Sequence, residues 1–166
     1  MKILIAIDSF KGSLSSMEAG NAAAEGIRRV PGLEAEIMVR ALADGGEGTT
    51  TALVEGLGGE YRTLTVTGPL GRPVEATYGI LPDRALAIIE MAAASGITLL
   101  SPEERNPLHT TTRGFGEMIR HAIETDGCRR LILGIGGSAT NDGGAGMLQA
   151  LGFRLLDAKG KEPREC

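Results

Sequence analysis

The chain has 166 residues, 42% hydrophobic and 23% charged, with no Trp, 3% aromatic residues and a formal net charge of −4. A chain of this length can bury roughly 70% of its unfolded surface, so one good core is available and it must be aliphatic. The acidic balance without any Lys/Arg run argues against nucleic acid as a partner, and the N-terminal apolar run of residues 3–7 is too short for a signal peptide or a membrane span.

Lys2–Ile7 reads as a buried strand, a β-branched-rich run stopped by Asp8. Ser15 with Glu18 matches a capping box opening a helix that reaches about Arg29 and ends at Pro31-Gly32. Residues 34–42 read as a second strand and about 48–56 as a second helix. Strand, helix, strand at this spacing is a βαβ unit, which implies a parallel sheet. The middle of the chain differs. Residues 61–67 and 74–81 read as strands joined by Gly68-Pro-Leu-Gly-Arg-Pro73, a hairpin signature. Residues 86–91 are a third apolar run with Glu90 near its end, and residues 92–95 begin a brief helix. Residues 102–112, with two prolines and three consecutive threonines, read as a loop. A helix over about 114–124 puts Phe115, Met118, Ile119, Ala122 and Ile123 on one face. Residues 130–135 form a strand, 147–151 a helix and 153–156 a last strand before a polar tail. The change of pattern near residue 65 divides the chain into two α/β parts, 1–64 and 65–166.

Glycine occupies 25 positions, about twice the usual ~7%. Two stretches concentrate it together with carboxylates, each after a strand: residues 43–49 (Ala-Asp-Gly-Gly-Glu-Gly-Thr) and residues 134–146 (Gly-Ile-Gly-Gly-Ser-Ala-Thr-Asn-Asp-Gly-Gly-Ala-Gly). Glycine lets successive N–H groups converge on an anion, hydroxyl and amide side chains add donors, and carboxylates hold Mg²⁺ or take a proton. The pattern points to phosphate chemistry. Glu47 also suits the N-terminus of the next helix, and Asn141-Asp142-Gly143-Gly144 is common turn chemistry. Lys11, in the loop after the first strand, is placed either to meet an anion or to stand in solvent. A carboxylate at Glu90 needs a partner or solvent and is a weaker site candidate. His109 and His121, the only histidines, have no partner nearby in sequence and receive no role. Cys128 and Cys166 have neither metal-ligand spacing nor a disulfide framework, so a cytoplasmic setting is expected.

Gly134-x-Gly-x-x-Ala139 formally matches a dinucleotide fingerprint, with Asp157 spaced to meet a ribose. A nicotinamide-dependent oxidoreductase is set aside, because the fingerprint helix would carry Gly143 and Gly144 in its first turns at about 1 kcal/mol each. No Walker A pattern occurs.

Residues 4–16, 43–49, 65–71, 89–96, 105–112 and 134–146 together resemble the bacterial glycerate kinases, in that family's order and over almost the whole chain. The resemblance implies a flavodoxin-like, Rossmann-like parallel-sheet α/β domain beginning at residues 1–64, and part of a second α/β domain over 65–166. It implies transfer of the γ-phosphoryl group of ATP to a hydroxyl of D-glycerate, with Mg²⁺ and with 2-phosphoglycerate favoured. Family members are more than twice this length, so the chain resembles an N-terminal portion, and a C-terminal half is expected to complete the fold. As a piece it is expected either to turn over or to bind ligand weakly without catalysis. Gly12 and Ile7 depart from the family pattern. By this likeness Lys11 neutralises developing charge, Asp44 or Asp142 orients and deprotonates the hydroxyl, and Glu47 with Asp44 meets the metal. Ser9, Gly45, Gly46, Gly136, Gly137, Ser138, Thr140, Asn141, Gly143 and Gly144 would bind phosphate or the glycerate carboxylate.

Overall fold

The computed structural model describes residues 1–10, 13–42 and 44–162. Lys11 and Gly12, singled out above, lie outside the described residues, as do Ala43 and Cys166.

Strand β1 (Lys2–Ile7) pairs in parallel with β2 (Glu36–Ala41), Lys2 opposite Glu36 and Ile7 opposite Ala41. The connecting helix α1 (Ser16–Arg28) opens on the expected capping box, with Ser15 accepting from the Glu18 N–H and Glu18 from the Ser15 N–H. The Ser16 hydroxyl donates to the Ile7 carbonyl and accepts from the Leu42 N–H at 3.3 Å, pinning the helix start to the ends of both strands. α1 packs against both strands, whose side chains alternate strictly between half-buried and exposed. Ile3, Ile5, Ile7, Ile37 and Val39 share the half-buried face, while Leu4 and Met38 stand on the exposed one.

Helix α2 (Thr49–Leu57) leads to a second sheet of β3 (Glu60–Thr67), β4 (Pro73–Leu81), β5 (Leu86–Glu90) and β6 (Arg130–Gly134), in that order. β3–β4 is the expected hairpin, β4–β5 is antiparallel, and β5–β6 is parallel. Every residue of β5 is buried, as expected for an inner strand covered on both faces. Ala87 and Ile89 join Phe115, Met118, Ile119 and Ala122 of helix α4 (Arg113–Glu124) in one cluster, while Leu86 and Ile88 meet Val54 of α2 in another. Short helices α3 (Met91–Ser95) and α5 (Ala145–Ala150) flank α4, and the loop at 102–112 contains two single 3₁₀ turns.

Residues 153–156 are not the strand expected from their apolar pattern. The Phe153 N–H closes onto the Leu148 carbonyl at 3.0 Å after Gly152 at φ +90°, and Phe153 and Leu156 stay exposed, pairing with no strand among the described residues. His121, given no role above, belongs to a polar network inside the fold. The Tyr78 hydroxyl lies 2.8 Å from His121 Nδ1 and donates to Asp126 Oδ2, and Arg62 Nε holds Asp126 Oδ1 at 3.2 Å. Because the tyrosine proton goes to Asp126, His121 Nδ1 must carry the proton of the other bond. Burial, then the hydrogen bond to Asp126, pushes the Tyr78 hydroxyl well above its ordinary value, so it stays neutral in the core.

Candidate functional site

Carboxyl ends of parallel strands are where open α/β sheets place ligands. Here β1 ends at Asp8, β2 at the Asp44 loop, β5 at Glu90 and β6 at the long glycine loop. The two glycine-rich loops, about ninety residues apart in sequence, touch. The Gly136 N–H donates to the Gly45 carbonyl at 2.8 Å, and a side chain at Gly136 would sit 2.7 Å from the Gly46 Cα. Only a residue without a Cβ allows that approach at Gly136, whereas Gly45 is set apart by its left-handed φ of +88°. Asp44 Oδ1 accepts from the Gly46 N–H at 2.7 Å, and the Gly45 N–H donates to Thr49 Oγ1 at 3.1 Å, so the first loop is held by its own side chains. Asp44 is exposed and its second oxygen has no donor among the described residues.

A cavity of about 520 Å³ opens beside this junction, lined by Asp8, Ser9, Ser13, Glu47, Gly48, Thr50 and Glu90 among others. Ser9 and Glu47 therefore share one pocket, while Asp44 is not part of its lining. Glu90 is 7% exposed, and its two oxygens accept from the N–H groups of Gly48 (3.3 Å) and Thr50. Gly48 is the N-cap of α2 and has no side chain to satisfy the helix amides. The Glu90 carboxylate, arriving from β5, supplies that acceptor and meets the positive end of the helix. Glu47, by contrast, stands exposed one residue before the cap.

The second loop divides its amides. Those of Gly136, Ala139, Thr140, Gly144 and Gly146 bond within the protein, to Gly45, Ser95, Ser138 Oγ and, for the last two, Asp142. Those of Gly137, Ser138, Asn141 and Gly143 have no acceptor among the described residues. Asp142 Oδ2 accepts from the Thr112 N–H (2.9 Å), the Thr112 hydroxyl (2.8 Å) and the Gly146 N–H (3.1 Å), and Oδ1 from the Gly144 N–H (3.0 Å). Burial alone would raise this carboxyl, but those four donors outweigh it and hold it below its ordinary value. Gly143 and Gly144 at φ +63° and +81° precede α5, which begins at Ala145. The two glycines are thus turn residues rather than helical ones, as the rejection of the dinucleotide fingerprint requires. Asn141 and Asp142 line a second cavity of about 680 Å³, and Ser138 with Thr140 a third of about 240 Å³.

The expected residues that are described thus form adjoining clusters around one junction rather than a single pocket. Two partners were not anticipated from sequence. The Glu90 clamp was signalled by a carboxylate closing an otherwise apolar strand, and Thr112 by the threonine triplet, but nothing local paired either with a loop some thirty to forty residues away.

The profile of the glycerate kinase family matches residues 3–166. The chain is 56% identical over 163 residues to the glycerate kinase of Bacillus subtilis (strain 168), covering 98% of this chain and 42% of that protein. It is 53% identical over 163 residues to the glycerate 2-kinase of Escherichia coli (strain K12), with the same coverage. A crystal structure of a protein assigned as glycerate kinase 2 from Salmonella typhimurium LT2 superimposes with a TM-score of 0.79 at 52% identity, over 99% of this chain and 44% of the other. The chain therefore spans less than half the length of the relatives it matches.

Proposed function

The chain belongs to the glycerate kinase family, and on that premise we propose that it carries part of a site transferring the γ-phosphoryl group of ATP to D-glycerate, with the 2-hydroxyl as acceptor. The bond between the Gly136 N–H and the Gly45 carbonyl carries this reading, because it brings donor-rich and carboxylate-bearing loops to one place. Phosphoryl transfer asks mainly for positioning and charge neutralisation, and both loops have groups to spare for it. The amides of Gly137, Ser138, Asn141 and Gly143 are available to oxyanions; Thr140 lines the cavity of Ser138, Ser9 lines the neighbouring one, and Gly45, Gly46 and Gly144 belong to the two loops that the junction joins. Lys11, in the loop beside Ser9, is the proposed cation on the transferring phosphate.

Of the two candidate bases, Asp44 is the better. The Asp142 carboxylate accepts four hydrogen bonds and its proton affinity is lowered, which suits a loop anchor rather than a group that must take a proton. In the proposed step the glycerate hydroxyl oxygen attacks phosphorus, its proton passes to Asp44, and ADP departs. No group of three His, Cys, Asp or Glu side chains at metal-ligand spacing occurs among the described residues. Mg²⁺ commonly takes one or two carboxylates and completes its shell with phosphate and water, so Glu47 fits that role, as does Asp44 where its open oxygen is not taking the proton, and the ion would offset phosphate charge. The proposed division into two α/β parts, 1–64 and 65–166, falls within β3, which pairs with β4 along its whole length.

Among the described residues no helix is long and apolar enough to cross a membrane, and we propose a cytoplasmic enzyme. An ADP-release assay with D-glycerate and Mg-ATP at high protein concentration, beside calorimetry with each ligand, tests the reading. ADP formed only when glycerate is present supports it. Absence of both turnover and binding removes it. A second reading, ligand binding without turnover, is favoured by the exposure of Leu4 and Met38 on the outer face of the β1–β2 pair. Binding in calorimetry with no ADP release would select it.

A further inference from the structure

Arg105 is an exposed cation with no ion pair among the described residues, although Arg72 and Glu104 pair at 2.5 Å next to it. Its backbone is well fixed. The Arg105 N–H closes on the Pro102 carbonyl at 3.4 Å, and Asn106 Oδ1 holds the Leu108 N–H at 3.1 Å. Further along, the Thr110 hydroxyl donates to the Ala139 carbonyl at 2.9 Å, which ties this segment to the long glycine loop. As a result Arg105 lines a cavity of about 240 Å³ together with Ser138 and Thr140.

The other wall of that cavity has donors left over. Ser138 Oγ and Thr140 Oγ1 lie 2.7 Å apart, and Ser138 Oγ also accepts from the Thr140 N–H at 3.0 Å. Two hydroxyls that bond to each other use one of their two protons, so one O–H remains to donate outward. Ser138 also faces Gly96 across a bridge whose bonds are made by the flanking residues, Ile97 to Gly137 and Ala139 to Ser95. In such a pair the central residue's own N–H turns away from the bridge, and that of Ser138 finds no acceptor among the described residues. Arg105, Ser138 and Thr140 thus bring a guanidinium, a spare hydroxyl proton and an unpaired backbone N–H to the lining of one small cavity that includes no carboxylate residue.

We propose that Arg105, Ser138 and Thr140 form an oxyanion subsite, taking either the carboxylate of the acceptor acid or a phosphate of the nucleotide. This rests on the reading of the junction as an acid-phosphorylating site and adds to it a recognition residue for one of the two substrates. Guanidinium geometry suits bidentate contact with either anion, and Lys in its place would keep the charge but lose the fork.

The test is an NMR titration of the ¹⁵N-labelled chain with D-glycerate and, separately, with Mg-ATP, repeated on Arg105→Gln and Arg105→Lys. The expected result is that one ligand shifts the Arg105 Nε–H with the Ser138 and Thr140 amides. Arg105→Gln then weakens that ligand about tenfold or more, about 1.4 kcal/mol, and leaves the other within about twofold. Arg105→Lys recovers only part of the loss. Which ligand responds identifies the oxyanion as carboxylate or phosphate. Saturable shifts confined to Ser9, Gly48 and Thr50, or unchanged affinity for both ligands in Arg105→Gln, would overturn the subsite and leave the kinase reading standing. No saturable binding of either ligand to the unaltered chain would overturn both. Because Arg105 is exposed and unpaired, an unchanged amide spectrum away from the cavity confirms that the variants fold.

Discussion

The β1–β2 pair carries one helix on one face and leaves Leu4, 61% exposed, and Met38 in solvent on the other. The four-stranded sheet instead has α4 on one face and α2 on the other, and Tyr78, Ile88, Ile89 and Met118 are fully buried against them. Both contain parallel pairs, and parallel strands are normally covered on both faces. Only the four-stranded part meets that condition. The loops that make the candidate site hang from both sheets, so its geometry depends on the Gly45–Gly136 bond and the Glu90 clamp that tie the less covered part to the better covered one.

The contrast is broken most decisively by truncation in the core of the four-stranded part. Phe115→Ala, at a site 1% exposed, is expected to cost about 3–5 kcal/mol in denaturant unfolding. A loss under about 1 kcal/mol there would mean the four-stranded core is not the stabilising one.

Removing Asp142 comes next. Asp142→Ala leaves the Thr112 and Gly146 donors without their acceptor and should cost about 1–3 kcal/mol. The same carboxyl sets a pH dependence. Its folded value lies below its ordinary 3.8, so the stability it adds is complete above that value and lost as pH falls through the lower folded one. Asp142→Asn should therefore flatten the acid limb of the stability curve below about pH 4, and an unchanged limb would remove Asp142 as its source.

Gly136→Ala puts a methyl 2.7 Å from the Gly46 Cα and should cost about 1–3 kcal/mol, with faster hydrogen exchange at residues 45–50. Loss of protection confined to β6 would show that the junction does not couple the two parts. Ser15→Ala removes the α1 capping box and should cost about 1 kcal/mol, read from helix melting. Leu4→Ala, on the bare face, should change stability by no more than about 0.5 kcal/mol. A larger loss would mean that this face is covered in solution and would bring the two sheets closer in character.

Much of the architecture was legible in the chain because its signals are local. The β-branched run of β1, the Ser15–Glu18 box, the turn chemistry at 68–73 and the apolar face of α4 each follow from neighbours in sequence. Where local pattern misled, a long-range condition was missing. Residues 153–156 have a strand-like composition but pair with no strand among the described residues. His121 has no partner nearby in sequence, yet the packing of α4 on β4 places Tyr78 and Asp126 around it.

Residue type and spacing alone marked out both glycine loops, their carboxylates and the mixed α/β alternation, since glycine content, capping and apolar periodicity act over a few residues. Tertiary packing decided which amides remain available, that Asp142 is anchored while Asp44 is open, and that Glu90 caps a helix from another strand. Those outcomes depend on which donors the fold brings within about 3 Å of each acceptor, and that distance is set by chain segments far apart in sequence.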